Sequence, residues 1–154
     1  IPADAVRAEE RRIFDGTLRG AGDVSPYGVR DRLRAIMDEH AYVFRHGDGL
    51  AAALRAVRSL QAEAYRNVAD TGRIYNTNLL HVLELDALLS AAEIVLVGAL
   101  ARQESRGAHT RLDFPKRDDV GWLRHTVAHR TADGPRLSYV PVTITKHQPV
   151  ERKY

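Results

Sequence analysis

NTNLLHVLELDALLSAAEIVLVGALARQ, residues Asn76 to Gln103, is the stretch that decides the fold. It holds no proline and one interior glycine, Gly98, and Asn76-Thr77-Asn78 offers side-chain oxygens suited to capping a helix start. At ~1.5 Å per residue such a helix is about 40 Å long. Between Leu85 and Leu100 apolar residues fall on nearly every face, as in a helix surrounded by other elements. His81, Glu84, Asp86 and Glu93 interrupt the apolar run, and a charge at a bilayer centre costs ~2.5–3.5 kcal/mol. The stretch is therefore read as a buried helix rather than a membrane span.

Upstream, Gly47-Asp48-Gly49 offers Asp48 as a cap, and Leu50, Leu54, Val57, Gln61, Ala64 and Val68 follow at near-heptad spacing, which predicts a second long helix. Ser25-Pro26 has the chemistry of an N-cap and first helical residue, and Val29, Leu33, Ile36, Met37 and His40 predict a helix from Pro26 to about Phe44. Pro2 opens a shorter helix over Ala3 to Phe14, broken by the glycines from Gly16 to Gly22. Three long helices with short connections predict a mainly α fold, an antiparallel three-helix bundle of spectrin-repeat type over residues 25–104. Residues 1–24 form a short helix and linker, and 105–154 an ordered charged loop, a short β-hairpin and a tail packed on the bundle, the whole one domain. In the hairpin, strands over His125 to Arg130 and Arg136 to Thr145 flank Ala132-Asp133-Gly134-Pro135, with Pro141 marking an edge.

A chain of 154 residues fits one domain and buries roughly 70% of its unfolded surface. It has no cysteine, which excludes disulfides and thiolate metal sites. The net charge of +3 is small, the acids and bases are interspersed, and the aromatic residues do not interleave with the basic ones, all of which speak against nucleic-acid binding. No signal-peptide pattern opens the chain, which begins at Ile1 with its one methionine at position 37, so a fragment or processed product is expected.

Beyond Gln103 the sequence turns dense in charge: Glu104-Ser105-Arg106-Gly107-Ala108-His109, then Arg111-x-Asp113-Phe114-Pro115-x-Arg117-Asp118-Asp119, then Trp122-Leu123-x-His125-Thr126. With Asn76-Thr-Asn-Leu-Leu before them, these motifs closely resemble, in order, the C-terminal domain of succinate dehydrogenase and fumarate reductase flavoproteins. Asp133-Gly134, Leu137-x-Tyr139, Val142-x-Ile144-Thr145 and Glu151-Arg152-Lys153-Tyr154 resemble the fumarate reductase ending. The likeness runs from about Val29 onward. Ser-Arg-Gly-x-His alone also fits L-aspartate oxidases; the Arg-x-Asp-Phe-Pro-x-Arg-Asp-Asp and Trp-Leu-x-His-Thr elements point away from them.

The resemblance implies a parent subunit with covalent FAD that interconverts succinate and fumarate. It also implies flavin-binding and capping domains in that subunit, an iron–sulfur subunit as electron relay, and membrane anchor subunits reached indirectly at the cytoplasmic face of the inner membrane. The family's dinucleotide fingerprint, flavin-linking histidine and substrate residues precede this domain, so no cofactor and no catalytic residue is assigned to this chain. Gly20-Ala21-Gly22 lacks a third glycine and a preceding strand.

His125 and His129 have the spacing of a helical metal pair, but on a strand they would stand about 13 Å apart, so no metal is assigned. Arg106 and His109 have the chemistry to handle a carboxylate; the alternative is pairing with Asp113, Asp118 or Asp119, or with a covering domain. Asp118-Asp119 suits an acid–base pair or, before Trp122, a helix cap. Trp122 reads as a buried anchor or an interface hot spot. Arg106, His109, Arg111, Asp113, Arg117, Asp118, Asp119 and Trp122 are thus the interface candidates, and their ion pairs are expected to be exposed in the isolated domain. The reading that follows is a docking domain; the alternatives are a free-standing helical adaptor and a small enzyme, for which no acid, base and nucleophile set appears.

Overall fold

The computed structural model describes residues 1–20, 22–63 and 65–150. It is mainly helical, with helices α1 (Ala3–Arg11), α2 (Pro26–His40), α3 (Gly47–Gln61) and α4 (Thr77–Ala101). Two short strands, β1 (Phe44–Arg45) and β2 (Thr110–Arg111), pair in parallel, and β3 (Arg124–Thr131) and β4 (Gly134–Pro141) form an antiparallel hairpin. The chain divides into two compact units, residues 1–36 with 56–92, and residues 37–55 with 93–154.

In the first unit α1 runs on into a π-helical turn, Arg12–Thr17, where the Leu18 N–H reaches back five residues to the Ile13 carbonyl and Thr17 is buried. Leu18, Val68, Leu79 and Val82 form a closed apolar cluster, flanked by Ile13, Phe14 and Leu83. Gly20 is a glycine because a Cβ there would lie 2.9 Å from the Arg66 carbonyl oxygen. Helix α4 starts as its sequence predicts, the Asn76 side-chain oxygen accepting the Leu79 N–H at 2.8 Å. Asp86 on the same helix accepts from the buried Tyr65 hydroxyl at 2.6 Å and from Arg66 at 3.2 Å. Burial, and then that carboxylate, push the Tyr65 phenol upward.

The second long helix stops at Gln61 rather than continuing to Val68. Its last turn tightens, with Ala62 and Glu63 N–H groups reaching the carbonyls three residues back. Tyr65 and Val68 are buried all the same, from an irregular segment, so tertiary burial reproduces a helical apolar spacing without a helix. Ala64, counted in that spacing, lies outside the described residues.

In the second unit α2 ends at His40, and Phe44 belongs to β1 instead of a fifth turn. The cap of α3 is His46 in place of Asp48: the His46 ring Nδ1 accepts the Asp48 N–H at 3.3 Å and its carbonyl accepts the Leu50 N–H at 2.9 Å. Leu50, Ala53, Leu96 and Ala99 are the buried apolar residues of these helices here. The hairpin turns on Ala132-Asp133, with Thr131 opposite Gly134 in a positive-φ conformation (φ 101°) that glycine adopts without strain. Its second strand ends at Pro141, four residues short of the expected Thr145.

Candidate functional site

The end of an α-helix leaves its last carbonyls without partners. Helix α4 has two side-chain donors placed on them by the segment that follows. Arg111, only 2% exposed, donates from Nη1 to the carbonyls of Ala99 (2.9 Å), Leu100 (3.1 Å) and Arg102 (3.3 Å). His109 Nε2 meets the same Arg102 carbonyl at 3.1 Å. The strand pair positions both side chains, since β1 and β2 align Phe44 with Thr110 and Arg45 with Arg111. Arg111 also holds the Asp113 carboxylate in a two-pronged pair, at 2.8 and 2.7 Å. Asp113 Oδ2 in turn accepts the Gly47 N–H at the start of α3 at 3.1 Å. Hydrogen bonding to Arg111 keeps Asp113 far below the usual carboxylate range despite its partial burial. One buried arginine and its carboxylate thus tie the end of α4 to the beginning of α3.

Glu104 is fully buried and is the second hub. Its carboxylate accepts from Arg102 at 2.6 Å, from Arg106 at 2.8 and 3.0 Å, and from the Asp118 N–H at 2.9 Å. Burial alone would raise its pKa; the hydrogen bonds from Arg106, the Asp118 N–H and Arg102 more than offset this and hold it below the ordinary value. Arg106 reaches on to Asp119 at 2.7 Å, and Arg117 holds the other Asp119 oxygen at 2.8 Å. The turn that aims Arg106 closes on itself, Arg106 and His109 exchanging backbone hydrogen bonds at 2.8 and 3.0 Å around Gly107 at φ 60°. Ser105 pins the loop by accepting the Arg111 N–H and donating to the Phe114 carbonyl, both at 2.9 Å.

Asp118 caps, but it caps a turn rather than a helix: its Oδ1 accepts the N–H groups of Val120 (3.0 Å) and Gly121 (2.8 Å), and the chain then enters β3. A Cβ on Gly121 would sit 2.5 Å from the Asp118 carboxylate. Trp122 is half-buried, edge-on to Tyr139 at 5.6 Å, with the guanidinium of Arg124 4.5 Å from its ring and 4.0 Å from that of Tyr139, and Arg102 at 5.1 Å. His125 and His129 lie on a strand, where the helical metal spacing does not apply, and His129 meets the Ser138 hydroxyl at 2.7 Å.

His109 is read by its two neighbours. Nδ1 stands 2.8 Å from Arg45 Nη1 and accepts from it, so Nε2 carries the proton that goes to the Arg102 carbonyl. Burial lowers its pKa, and the nearby Arg45, Arg111 and Arg102 lower it further, outweighing the carbonyl's opposite effect. The ring is a neutral linker.

A family model described as "Fumarate reductase flavoprotein C-term" matches residues 30–154. The chain belongs to the fumarate reductase flavoprotein C-terminal family. It is 39% identical to the fumarate reductase flavoprotein subunit of Mycobacterium tuberculosis over 99% of its own length and 27% of that protein. To the corresponding Escherichia coli subunit it is 40% identical, over 94% of this chain and 25% of that one. A solved structure of a mutant E. coli quinol fumarate reductase superposes with a TM-score of 0.89 at 34% identity, over 96% of this chain and 26% of the other. The chain spans about a quarter of the length of the relatives it matches.

The family motifs therefore map onto a folded ion network. Of the eight residues singled out from sequence, Arg106 and Asp119 join the Glu104 hub, with Arg117 beyond and Asp118 beside it; Arg111, Asp113 and His109 join the α4 cap; Trp122 packs edge-on against Tyr139 at the hairpin. Their ion pairs are not all exposed as expected, because Glu104 and Arg111 are buried. Glu104, Arg102 and Arg45 carry the network without having been assigned a role from sequence; the one available signal is that Glu104 stands two residues from an arginine on either side.

A dinucleotide cradle needs a strand entering a glycine-rich turn at a helix N-terminus. Gly20 follows the π-helical turn instead and is explained by its contact with Arg66, while Ala21 lies outside the described residues. Glu151 to Tyr154, whose likeness to the fumarate reductase ending was noted above, also lie outside the described residues.

Proposed function

We propose that this chain is the docking and bracing domain of a flavoprotein that interconverts succinate and fumarate with electron exchange to quinone. In that reading it supports the flavin-binding and capping domains, which carry covalent FAD, and contributes surface to an iron–sulfur subunit. Membrane anchor subunits hold the complex at the cytoplasmic face of the inner membrane. Among the described residues no helix is long and apolar enough to cross a membrane, which accords with a peripheral part. We read its three longer helices as one antiparallel bundle over 25–104, bearing the charged segment 105–154.

The observation that carries the reading is the consumption of the charged motifs by one another. Glu104, Arg106, Arg111, Asp113 and Asp119 all serve ion pairs that close turns and cap a helix, so the residues that mark the family here are framework. Catalysis in such a subunit falls to its remaining three quarters. The test is to express residues 1–154 separately from the rest of the flavoprotein and together with it. The chain alone should be colourless and inert toward succinate with an artificial acceptor, and should restore flavin retention when co-expressed. Stoichiometric flavin on the washed chain, or no association with the remainder, would overturn the proposal.

A further inference from the structure

Between α4 and the hairpin lies an open groove of about 300 Å³ whose walls include Ile94, Val95, Gly98 and Leu137, with Arg45 and His109 at its polar end. Two features of it have no explanation within the described chain. Arg45 donates from Nε to the carbonyls of Ala41 (3.0 Å) and Tyr42 (2.9 Å) and from Nη1 to His109; among the described residues no carboxylate pairs with it and Nη2 has no partner. This half-buried cation has no counter-charge among the described residues, and burial lowers its pKa. Gly98 sits inside a helix, where glycine is disfavoured, yet a Cβ there would meet nothing within 4 Å. Ile94 and Val95 beside it stand 44% and 47% exposed. Missing bulk, exposed aliphatic surface and an uncompensated arginine together describe a surface shaped for an apolar segment that brings a carboxylate.

We propose that the groove formed by Ile94, Val95, Gly98, Leu137, Arg45 and His109 is the seat of an aliphatic segment of the flavoprotein's other three quarters, its backbone running close over Gly98 and an Asp or Glu carboxylate paired with Arg45. This rests on the docking function proposed above and names its face. His109 is the positioning residue: as a neutral acceptor it orients Arg45 and leaves Nη2 turned to the incoming carboxylate.

The test uses the intact flavoprotein with a photo-reactive phenylalanine at Val95. Mass spectrometry should place the cross-link in the same polypeptide, on an aliphatic stretch carrying an Asp or Glu. Gly98→Leu adds bulk to the groove at a point where a Cβ has open space, and should reduce that cross-link about tenfold. Arg45→Glu should do the same, and replacing the partner carboxylate with lysine should restore the yield to within about twofold. A cross-link to the iron–sulfur subunit, to a second copy or to nothing overturns the assignment, as does a yield that Gly98→Leu leaves unchanged. If the separately expressed chain still associates with the remainder while Val95 gives no such cross-link, the docking function stands and this face is wrong; if association itself fails, both fall.

Discussion

The two compact units each take a stretch of α4, but they are held together by different chemistry. In the unit of residues 1–36 and 56–92 the interior is apolar, with Val29, Val57, Val82, Leu85 and Leu89 all but inaccessible, and pairs such as Arg12–Glu9 and Arg32–Glu63 sit at the surface. In the unit of residues 37–55 and 93–154 a smaller aliphatic set shares the interior with Glu104 and Arg111. The first unit gains stability in proportion to area removed from water, a non-directional effect. The second depends on a few charges meeting in fixed geometry, where losing one partner strands the other away from water.

The largest effect separating the two is expected at Arg111. Arg111→Met keeps the bulk but leaves three helix-end carbonyls without their donor and Asp113 without its counter-charge, at a cost of ~3–5 kcal/mol. For a chain of this size the melting temperature should fall by roughly 10 °C. A calorimetric shift under 2 °C would show, within the roughly 2–4 °C per kcal/mol scale, that the network contributes little.

A somewhat smaller effect should depend on pH. Glu104 titrates below its ordinary value in the fold, so it stabilises the fold above the unfolded pKa of about 4.3 and that contribution is lost as pH falls toward the lower native value. His109 is lowered as well, so its contribution is complete above about pH 6.5 and declines below it. Chemical denaturation at pH 7 and pH 4 should therefore show a gap between wild type and Glu104→Gln that narrows at the lower pH. Leu85→Ala, in the apolar unit, should lose ~2–5 kcal/mol equally at both. Equal pH responses of the two variants would erase the distinction between the units.

The smallest effect belongs to Arg32→Ala. The Arg32–Glu63 pair is two-pronged but lies at the surface, so ~0–1 kcal/mol is expected, vanishing in high salt.

What sequence could show follows the same division. Helix α4 and its Asn76 cap, the start of α2 at Pro26 and the hairpin turn were legible, because periodicity, caps and turn residues are local signals. The end of α3 was not, since Val68 continues its spacing while held by Leu18, Leu79 and Val82 from elsewhere in the chain. Likewise the charged motifs announced that arginines and carboxylates would pair, and adjacency suggested Asp113, Asp118 and Asp119 for Arg106. The hub, Glu104, shows in sequence only as a carboxylate two residues from an arginine on either side; its burial comes from Arg102, Arg106 and Asp118 closing around it. The pairing of β1 with β2, which sets Arg45 beside His109, joins segments more than sixty residues apart and leaves no trace in a two-residue strand.

The claim that joins these observations is that the charged family motifs act through structure. Its most direct test is Arg106→Ala in the intact flavoprotein, with flavin content, assembly and turnover per assembled enzyme measured on the same preparation. Removing Arg106 takes two hydrogen bonds from a buried Glu104 and one from Asp119, so flavin retention and assembly should fall while the correctly assembled fraction turns over at close to the normal rate. Normal assembly and flavin content with turnover reduced about a thousandfold, the size of a lost acid–base or electrostatic group, would make Arg106 catalytic and contradict the account.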